Sequence, residues 1–371
     1  MTRVTVHPKT IELVESAIND IRNGKMVVLV DDEDRENEGD LVFAAEMVTP
    51  DLVNFMATHA RGLICLAMDG PLVDRLQLPM MVSKNNSPLG TNFTVSIEAK
   101  TGVTTGISVH DRARTIAVAI DPKSGPGDIV SPGHIFPLRA CPGGVLQRTG
   151  QTEGAVDLAR MAGLTPAGVI CEIMNDDGTM ARRPQLDAFT QKHRLLLLSV
   201  ADLIQYRLTR EPIVQRVQEG TMQLPDSKLD WRYVLFQTTV EQQSFVALIA
   251  GDIEASIEPV ICRVHAASNF LDAFAPTNDH TRISLRKTVS LIDQAGKGVI
   301  LYVPSSRSLQ TDLDAFSKQQ TPLAMELRQF GFGAQCLANL GLSRIRLVTR
   351  SAKKIHGLSA YGIEVAEVLD L

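Results

Sequence analysis

A two-domain α/β chain is predicted by three observations: length, apolar content, and helix and strand patterns alternating on either side of one polar break. Two domains is the soft expectation for 371 residues. The 44% apolar share is enough to build two proper cores. The class expected is therefore α/β in the mixed α+β sense, with a larger first domain and a smaller second one.

The elements follow in order. Pro8 suits a first helical turn, Ile11, Val14, Ile18 and Ile21 share one helical face, and Gly24 is placed to end that helix. Met26 to Val30 reads as a strand and Pro50 to Arg61 as a second helix. Phe93 to Ile97 and Thr115 to Ile120 read as strands. A helix over Glu153 to Ala162 is opened by Thr152 and closed by Gly163. Gly168 to Met174 is a further strand, turned by Asn-Asp-Asp-Gly. From Arg207 the pattern fails: the polar stretch lacks a period and carries Pro212 and Pro225. The expected division is thus 1–206, a linker over 207–226, and 227–371. In the last part, helix and strand pair twice, Thr281 to Ala295 with Val299 to Val303 and Thr321 to Leu340 with Ile345 to Thr349.

Between Asp31 and Asp40 the sequence DDEDRENEGD packs seven carboxylates around one arginine, directly after the apolar run MVVLV. Two carboxylates ~4 Å apart repel by ~1 kcal/mol in water and ~4 kcal/mol near a protein surface, so a divalent cation is a natural compensator. Most charge runs are merely solvated. Against that, the end of a strand is where α/β folds place ligands. A formal charge of −5 gives no encouragement to nucleic-acid or anionic-membrane binding. MTRVTVHPKT has no apolar signal core and no run approaches a membrane span, so a cytoplasmic protein is expected. Cys65, Cys141, Cys171, Cys262 and Cys336 are widely spaced with no C-x-x-C pair. They suggest neither a disulfide framework nor a sequence-local zinc site.

Residues Met26 to Arg182 resemble 3,4-dihydroxy-2-butanone 4-phosphate synthase, the riboflavin-pathway lyase. The matching stretches are DDEDRENEGDLVF, LPMMV, FTVSIEAKTGVTTGIS, SPGHIFPLRA, GGVLQRTGQTE and PAGVICEIMNDDGTMAR, in family order. Several blocks of this length exceed what a lone motif can claim. The resemblance implies a three-layer mixed-sheet lyase domain, a homodimer, and conversion of the sugar phosphate D-ribulose 5-phosphate into 3,4-dihydroxy-2-butanone 4-phosphate and formate. It also implies Mg²⁺, with Mn²⁺ as the alternative ion.

Carried over residue by residue, Glu36 becomes the metal carboxylate, suited to a hard oxygen-seeking ion. Arg35 and Asp40 become substrate contacts, one complementing negative charge and one accepting from sugar hydroxyls. His134 and Glu172 become the proton-transfer pair, Glu172 also touching substrate. A histidine suits proton transfer near neutrality, and a carboxylate inside the strand GVICEIM should be desolvated and its pKa raised. Arg148 and Thr152 flank a helix start that suits a phosphate. Cys65 and Thr104 to Gly106 are further candidates for the pocket. One departure stands out: in the family's Arg-x-Gly-His-Thr-Glu pattern the histidine is the second metal ligand, and RTGQTE puts Gln151 there. Taken singly, each of these residues has a bland reading as a surface ion pair, a cap or a structural side chain.

The second half resembles GTP cyclohydrolase II in framework, through FVALIAGDI, ICRVHA, GKGVILYV and FGFGAQCLANLGLSRIRLVTRSAKKIHGLSAYGIEV. The family's three zinc-binding cysteines are missing after Arg263-Val264-His265, and no cysteine lies between Cys262 and Cys336. One thiol with His265 and His280 makes no convincing zinc set, so no zinc and no GTP ring opening are expected. PSSRS at Pro304 to Ser308 replaces a further family element. The alternative to a lyase is a catalytically silent homologue whose domains bind or regulate. The present role of the second domain is not legible in the sequence.

Overall fold

In a computed structural model the described residues are 8–371 without 33–34, 88–89, 226, 241–242, 255, 257, 275, 277–283, 305–307, 319–326, 350–357, 359–362 and 371. The described chain divides into two compact units, one over Lys9–Tyr206 and one that starts at Arg207.

The first unit holds α1 (Pro8–Arg22), β1 (Val27–Val30), β2 (Gly39–Ala44), α2 (Pro50–Phe55), β3 (Cys65–Met68), α3 (Gly70–Arg75), β4 (Ile97–Ala99), α4 (Val109–Ile120), β5 (Ile129–Arg139), α5 (Gln151–Met161), β6 (Ala167–Glu172), α6 (Arg183–His193), β7 (Leu196–Ser199) and α7 (Val200–Arg210). Its seven strands run in the order β4-β5-β3-β6-β2-β1-β7. The sheet is mixed: β1 with β7 and β3 with β5 are parallel, whereas β2 is antiparallel to both β1 and β6. All four residues of β1 are buried, as a strand covered on both faces requires. Val28, Leu41, Phe43, Leu66, Val169 and Cys171 join Val53 of α2 and Ala113 and Ile116 of α4 in one core. On the other face α5 lies so close that a Cβ on Gly154 would meet Leu29 and Leu203. These are the three layers the resemblance implies.

Several local expectations need correction. Thr115 to Ile120 is not a strand but the end of α4, which starts where Ser108 accepts a hydrogen bond from the Asp111 N–H at 3.1 Å. Of the strand expected over Phe93 to Ile97, only Ile97 belongs to a strand, β4. The second helix closes at Phe55 into a turn of π-helix, and Arg61 takes a left-handed φ of 71°. Thr152 does not open α5; Gly150 occupies the cap position, and Gln151 and Thr152 are the first helical residues.

The second unit holds β8 (Val214–Met222), β9 (Trp231–Thr238), β10 (Ser244–Ala250), β11 (Val260–Ala266), α8 (Asn269–Phe274), α9 (Leu285–Ala295), β12 (Gly298–Val303), α10 (Leu309–Ser317), α11 (Leu327–Asn339), β13 (Arg344–Val348) and β14 (Glu364–Leu369). Its sheet order is β14-β13-β11-β12-β10-β9-β8. Residues 207–226, expected as a linker, contain the end of α7 and all of β8, which pairs antiparallel with β9. Trp231, Ile261 and Ile300 pack with Val289 and Ile292 of α9, while Phe332 of α11 meets Phe245 edge-on at 6.2 Å. Among the described residues no helix is long and apolar enough to cross a membrane.

Candidate active site

The acidic turn between β1 and β2 is organised by its first residue. The buried Asp31 carboxylate accepts from the N–H groups of Glu36 and Glu38 at 3.0 and 2.9 Å, so the turn closes on a side chain. Asn37 takes the left-handed conformation that asparagine tolerates, with φ 54°. Arg182 reaches in from the start of α6 and donates to the Glu36 carbonyl at 2.8 Å. Within the described part of the run, Asp31 and Glu36 are therefore held by internal donors and Asp40 is buried, while Asp32 is exposed.

Arg35 points inward. One of its nitrogens, Nη1, donates to Asp31 at 2.7 Å, Glu36 at 2.8 Å and Gln151 Oε1 at 3.1 Å. Burial works against this charge, but Asp31 and Glu36 outweigh it and hold the guanidinium above its ordinary pKa. Gln151 is 5% exposed, and its Nε2 has no hydrogen-bond partner. At the same helix start Arg148 donates to Glu153 at 2.7 Å and to Thr91 at 3.1 Å. The first turn of a helix leaves its N–H groups without intrahelical partners.

Across the sheet, Asp40 of β2 stands opposite Glu172 of β6. Burial, and then Glu172 ahead of Glu36, Glu38 and Asp31, pushes the Asp40 carboxyl well above the usual carboxylate range. Glu172 was the carboxylate expected to be desolvated; it is half-buried and accepts the Leu63 N–H at 2.8 Å. The preceding Gly62 runs so close that any Cβ there would overlap the Glu172 carboxylate and backbone. Only glycine lets the loop deliver that N–H.

Arg35, Glu36, Asp40, Arg148, Gln151, Thr152 and Glu172 line one cavity of about 140 Å³, with Cys65 among its walls. Burial raises the Cys65 thiol, so this wall is uncharged. His134 does not line this cavity. Its Nδ1 lies 2.7 Å from Glu98 Oε2, the other oxygen of which accepts from Thr115 at 2.8 Å, and the imidazole is 44% exposed. Thr104 and Gly106 do not line it either; both donate to Asp111, and Gly106, at φ +87°, leaves room for Glu98 and His134. Sequence reasoning missed Asp31, Glu98, Thr115 and Arg182. Asp31 and Arg182 stood inside matched blocks, but nothing in the sequence distinguished them from their charged neighbours.

The donor set fits a hard divalent ion. Glu36 and Gln151 aim oxygens at one point, and a carboxylate plus an amide leaves positions for water and substrate, as Mg²⁺ prefers. Among the described residues no group of three or more His, Cys, Asp or Glu is arranged for a metal. In the second unit, the buried His265 pairs through Nε2 with Asp272 at 2.9 Å, and His280 lies outside the described residues.

Residues 15–206 match the family model described as 3,4-dihydroxy-2-butanone 4-phosphate synthase, and residues 216–370 match that of GTP cyclohydrolase II. The chain is 47% identical to the riboflavin biosynthesis protein RibBA of Aquifex aeolicus, over 95% of this chain and 91% of the relative. It is 45% identical to a 3,4-dihydroxy-2-butanone 4-phosphate synthase of Pseudomonas aeruginosa, covering 96% and 98%. Among solved structures it is similar to RibBX, a two-domain 3,4-dihydroxy-2-butanone 4-phosphate synthase from A. baumannii, at TM-score 0.80, 40% identity, and 96% and 98% coverage. A solved 3,4-dihydroxy-2-butanone 4-phosphate synthase in complex with two magnesium ions matches at TM-score 0.50 and 41% identity, over 52% of this chain and 94% of the other.

Proposed function

The chain belongs to the 3,4-dihydroxy-2-butanone 4-phosphate synthase family, and on that premise we propose a Mg²⁺-dependent lyase that splits D-ribulose 5-phosphate into 3,4-dihydroxy-2-butanone 4-phosphate and formate. The observation that carries this reading is the convergence, in one cavity, of an opposed carboxyl pair, two oxygen donors for a cation, and two guanidinium groups beside a helix N-terminus.

The phosphate belongs at the start of α5, where open N–H groups, the positive dipole end, Arg148 and Arg35 meet negative charge. The sugar chain then lies over Asp40 and Glu172. Asp40, whose carboxyl burial pushes towards the protonated form, is placed to share a proton with an oxygen that gains charge, while Glu172, oriented by the Leu63 N–H, takes the proton from the carbon beside the carbonyl. Glu36 and Gln151 would hold the ion, which would supply positive charge to stabilise negative charge developing on substrate oxygen. Mn²⁺ is the alternative ion in this reading.

The reading includes a cytoplasmic homodimer. It takes the exposed His134 imidazole, held by Glu98 outside the cavity of its own chain, as a group that serves the cavity of a second copy. The second unit keeps the cyclohydrolase framework and opens no GTP. The absent cysteines and the engagement of His265 by Asp272 support that statement.

Formate release tests the reading. Protein with Mg²⁺ and ribulose 5-phosphate releases formate, EDTA stops it, and Glu36→Ala loses more than ~100-fold, since a metal contributes several kcal/mol to such a transition state. Undiminished turnover in EDTA refutes the metal assignment, and no formate under any condition leaves the silent homologue.

A further inference from the structure

The point on which Glu36 Oε2 and Gln151 Oε1 converge is filled by the protein's own cation. Arg35 Nη1 sits 2.8 Å from one and 3.1 Å from the other while also holding Asp31 at 2.7 Å. Gln151 is buried with Nε2 unpartnered, so this side chain is engaged through its oxygen, the orientation that suits a cation. The second guanidinium nitrogen lies beside Gly150. A Cβ on Gly150 would lie 3.1 Å from Arg35 Nη2 and 2.5 Å from Arg148 Nη1, which puts both guanidinium groups at the residue capping α5. Arg35 thus stands between an oxygen cluster and an anion position.

We propose that Arg35 keeps the divalent-ion position closed, and that a phosphate at the start of α5 draws the guanidinium off Glu36 and Gln151, so that metal and phosphate bind cooperatively. This rests on the proposed function in taking Glu36 and Gln151 as the metal donors. A guanidinium and a divalent cation cannot share those oxygens at contact distance, because like charges repel. The Asp31 contact anchors the arginine, so opening the ion position needs a pivot of its fork and not withdrawal of the chain. A phosphate offers the freed fork a bidentate partner, which bare solvent does not. Linkage then requires the metal to tighten phosphate by the same factor as phosphate tightens the metal.

Titration of the full chain with Mn²⁺, followed by electron paramagnetic resonance with and without inorganic phosphate and corrected for Mn²⁺ binding to phosphate in buffer, tests this. Wild type binds Mn²⁺ roughly tenfold or more tightly with phosphate present, within the usual range of site coupling. Arg35→Met binds Mn²⁺ without phosphate at least as tightly as wild type does with it, and gains nothing from phosphate. Equal wild-type affinity in the two conditions overturns the proposal and leaves the metal assignment standing. So does an Arg35→Met variant no tighter than phosphate-free wild type. No Mn²⁺ bound in any arm refutes the metal reading itself. The wild-type comparison needs no variant, so it decides the matter even if Arg35→Met disturbs the turn.

Discussion

Asp40 and Glu172 face each other across the antiparallel pairing of β2 with β6, and of the two it is Asp40 that is almost wholly buried. Neighbouring strands hold two carboxyls side by side, and both cannot ionise at low cost. The raised pKa of Asp40 comes first from burial and then from the strand register that sets Glu172 beside it.

That arrangement has a pH signature. With the folded pKa of Asp40 above its unfolded value of about 3.9, the protonated form favours the fold. Its stabilising contribution is complete below the unfolded value and is lost as pH rises through the folded one. Asp40→Asn stays neutral throughout. It should melt above wild type at about pH 8, with the gap closing towards about pH 4, while formate release falls by roughly 10²-fold or more. Thermal melts across that range check the stability half; a gap that widens on acidification refutes it.

Glu98 acts on His134 and not on the 140 Å³ cavity. Glu98→Gln keeps a polar side chain between Thr115 and the imidazole but removes the charge that orients it. Turnover should fall by about 10²-fold with KM little changed and the melting temperature nearly preserved. Steady-state kinetics beside a melt separates this from simple unfolding; full turnover would mean that His134 is not needed.

Gln151→His restores the ligand of the family pattern at a buried position with an unsatisfied amide nitrogen. Imidazole suits transition ions better than an amide does. The variant should bind Mn²⁺ and other transition ions more tightly and keep or raise turnover, and calorimetric titration with each ion reads the shift. Weaker binding of every ion would show that the shell around residue 151 has been rebuilt for the amide.

For the second unit, metal analysis of the purified protein should find no stoichiometric zinc, and GTP should yield no formate. The basis is the missing cysteine set and the commitment of His265 to Asp272. Zinc at one equivalent per chain together with GTP turnover would reverse the assignment.

What the sequence disclosed, and what it hid, follows from range. Strand β1 and the acidic turn were legible because an apolar run and a charge run are local. Each of Arg35, Glu36, Asp40, Arg148, Gln151, Thr152 and Glu172, which line one cavity, sits in a matched block. The end of α4 was misread because Thr115, Ile116 and Val118 favour strands, whereas the Ser108 cap and the core beneath decide for helix. Strand β8 was hidden because its residues are mostly exposed and polar; pairing with β9, from Val214 with Thr238 to Met222 with Trp231, makes the strand and leaves no periodic trace. The Glu98 to His134 contact spans 36 positions and had no local signal. Nor could the placing of His134 outside the cavity be read from the residues around it.

Gly62 carries a last consequence. Its hydrogen-only side chain has no chemistry, yet a methyl group there would evict the Glu172 carboxylate from its N–H partner. In a saturation scan scored by growth without riboflavin, position 62 should reject alanine as firmly as position 172 rejects it, although nothing at 62 touches a proton. Purified Gly62→Ala should still fold around the β2–β6 core while losing turnover. Drift at this position is closed by geometry: the vacancy at residue 62 is itself part of the reagent.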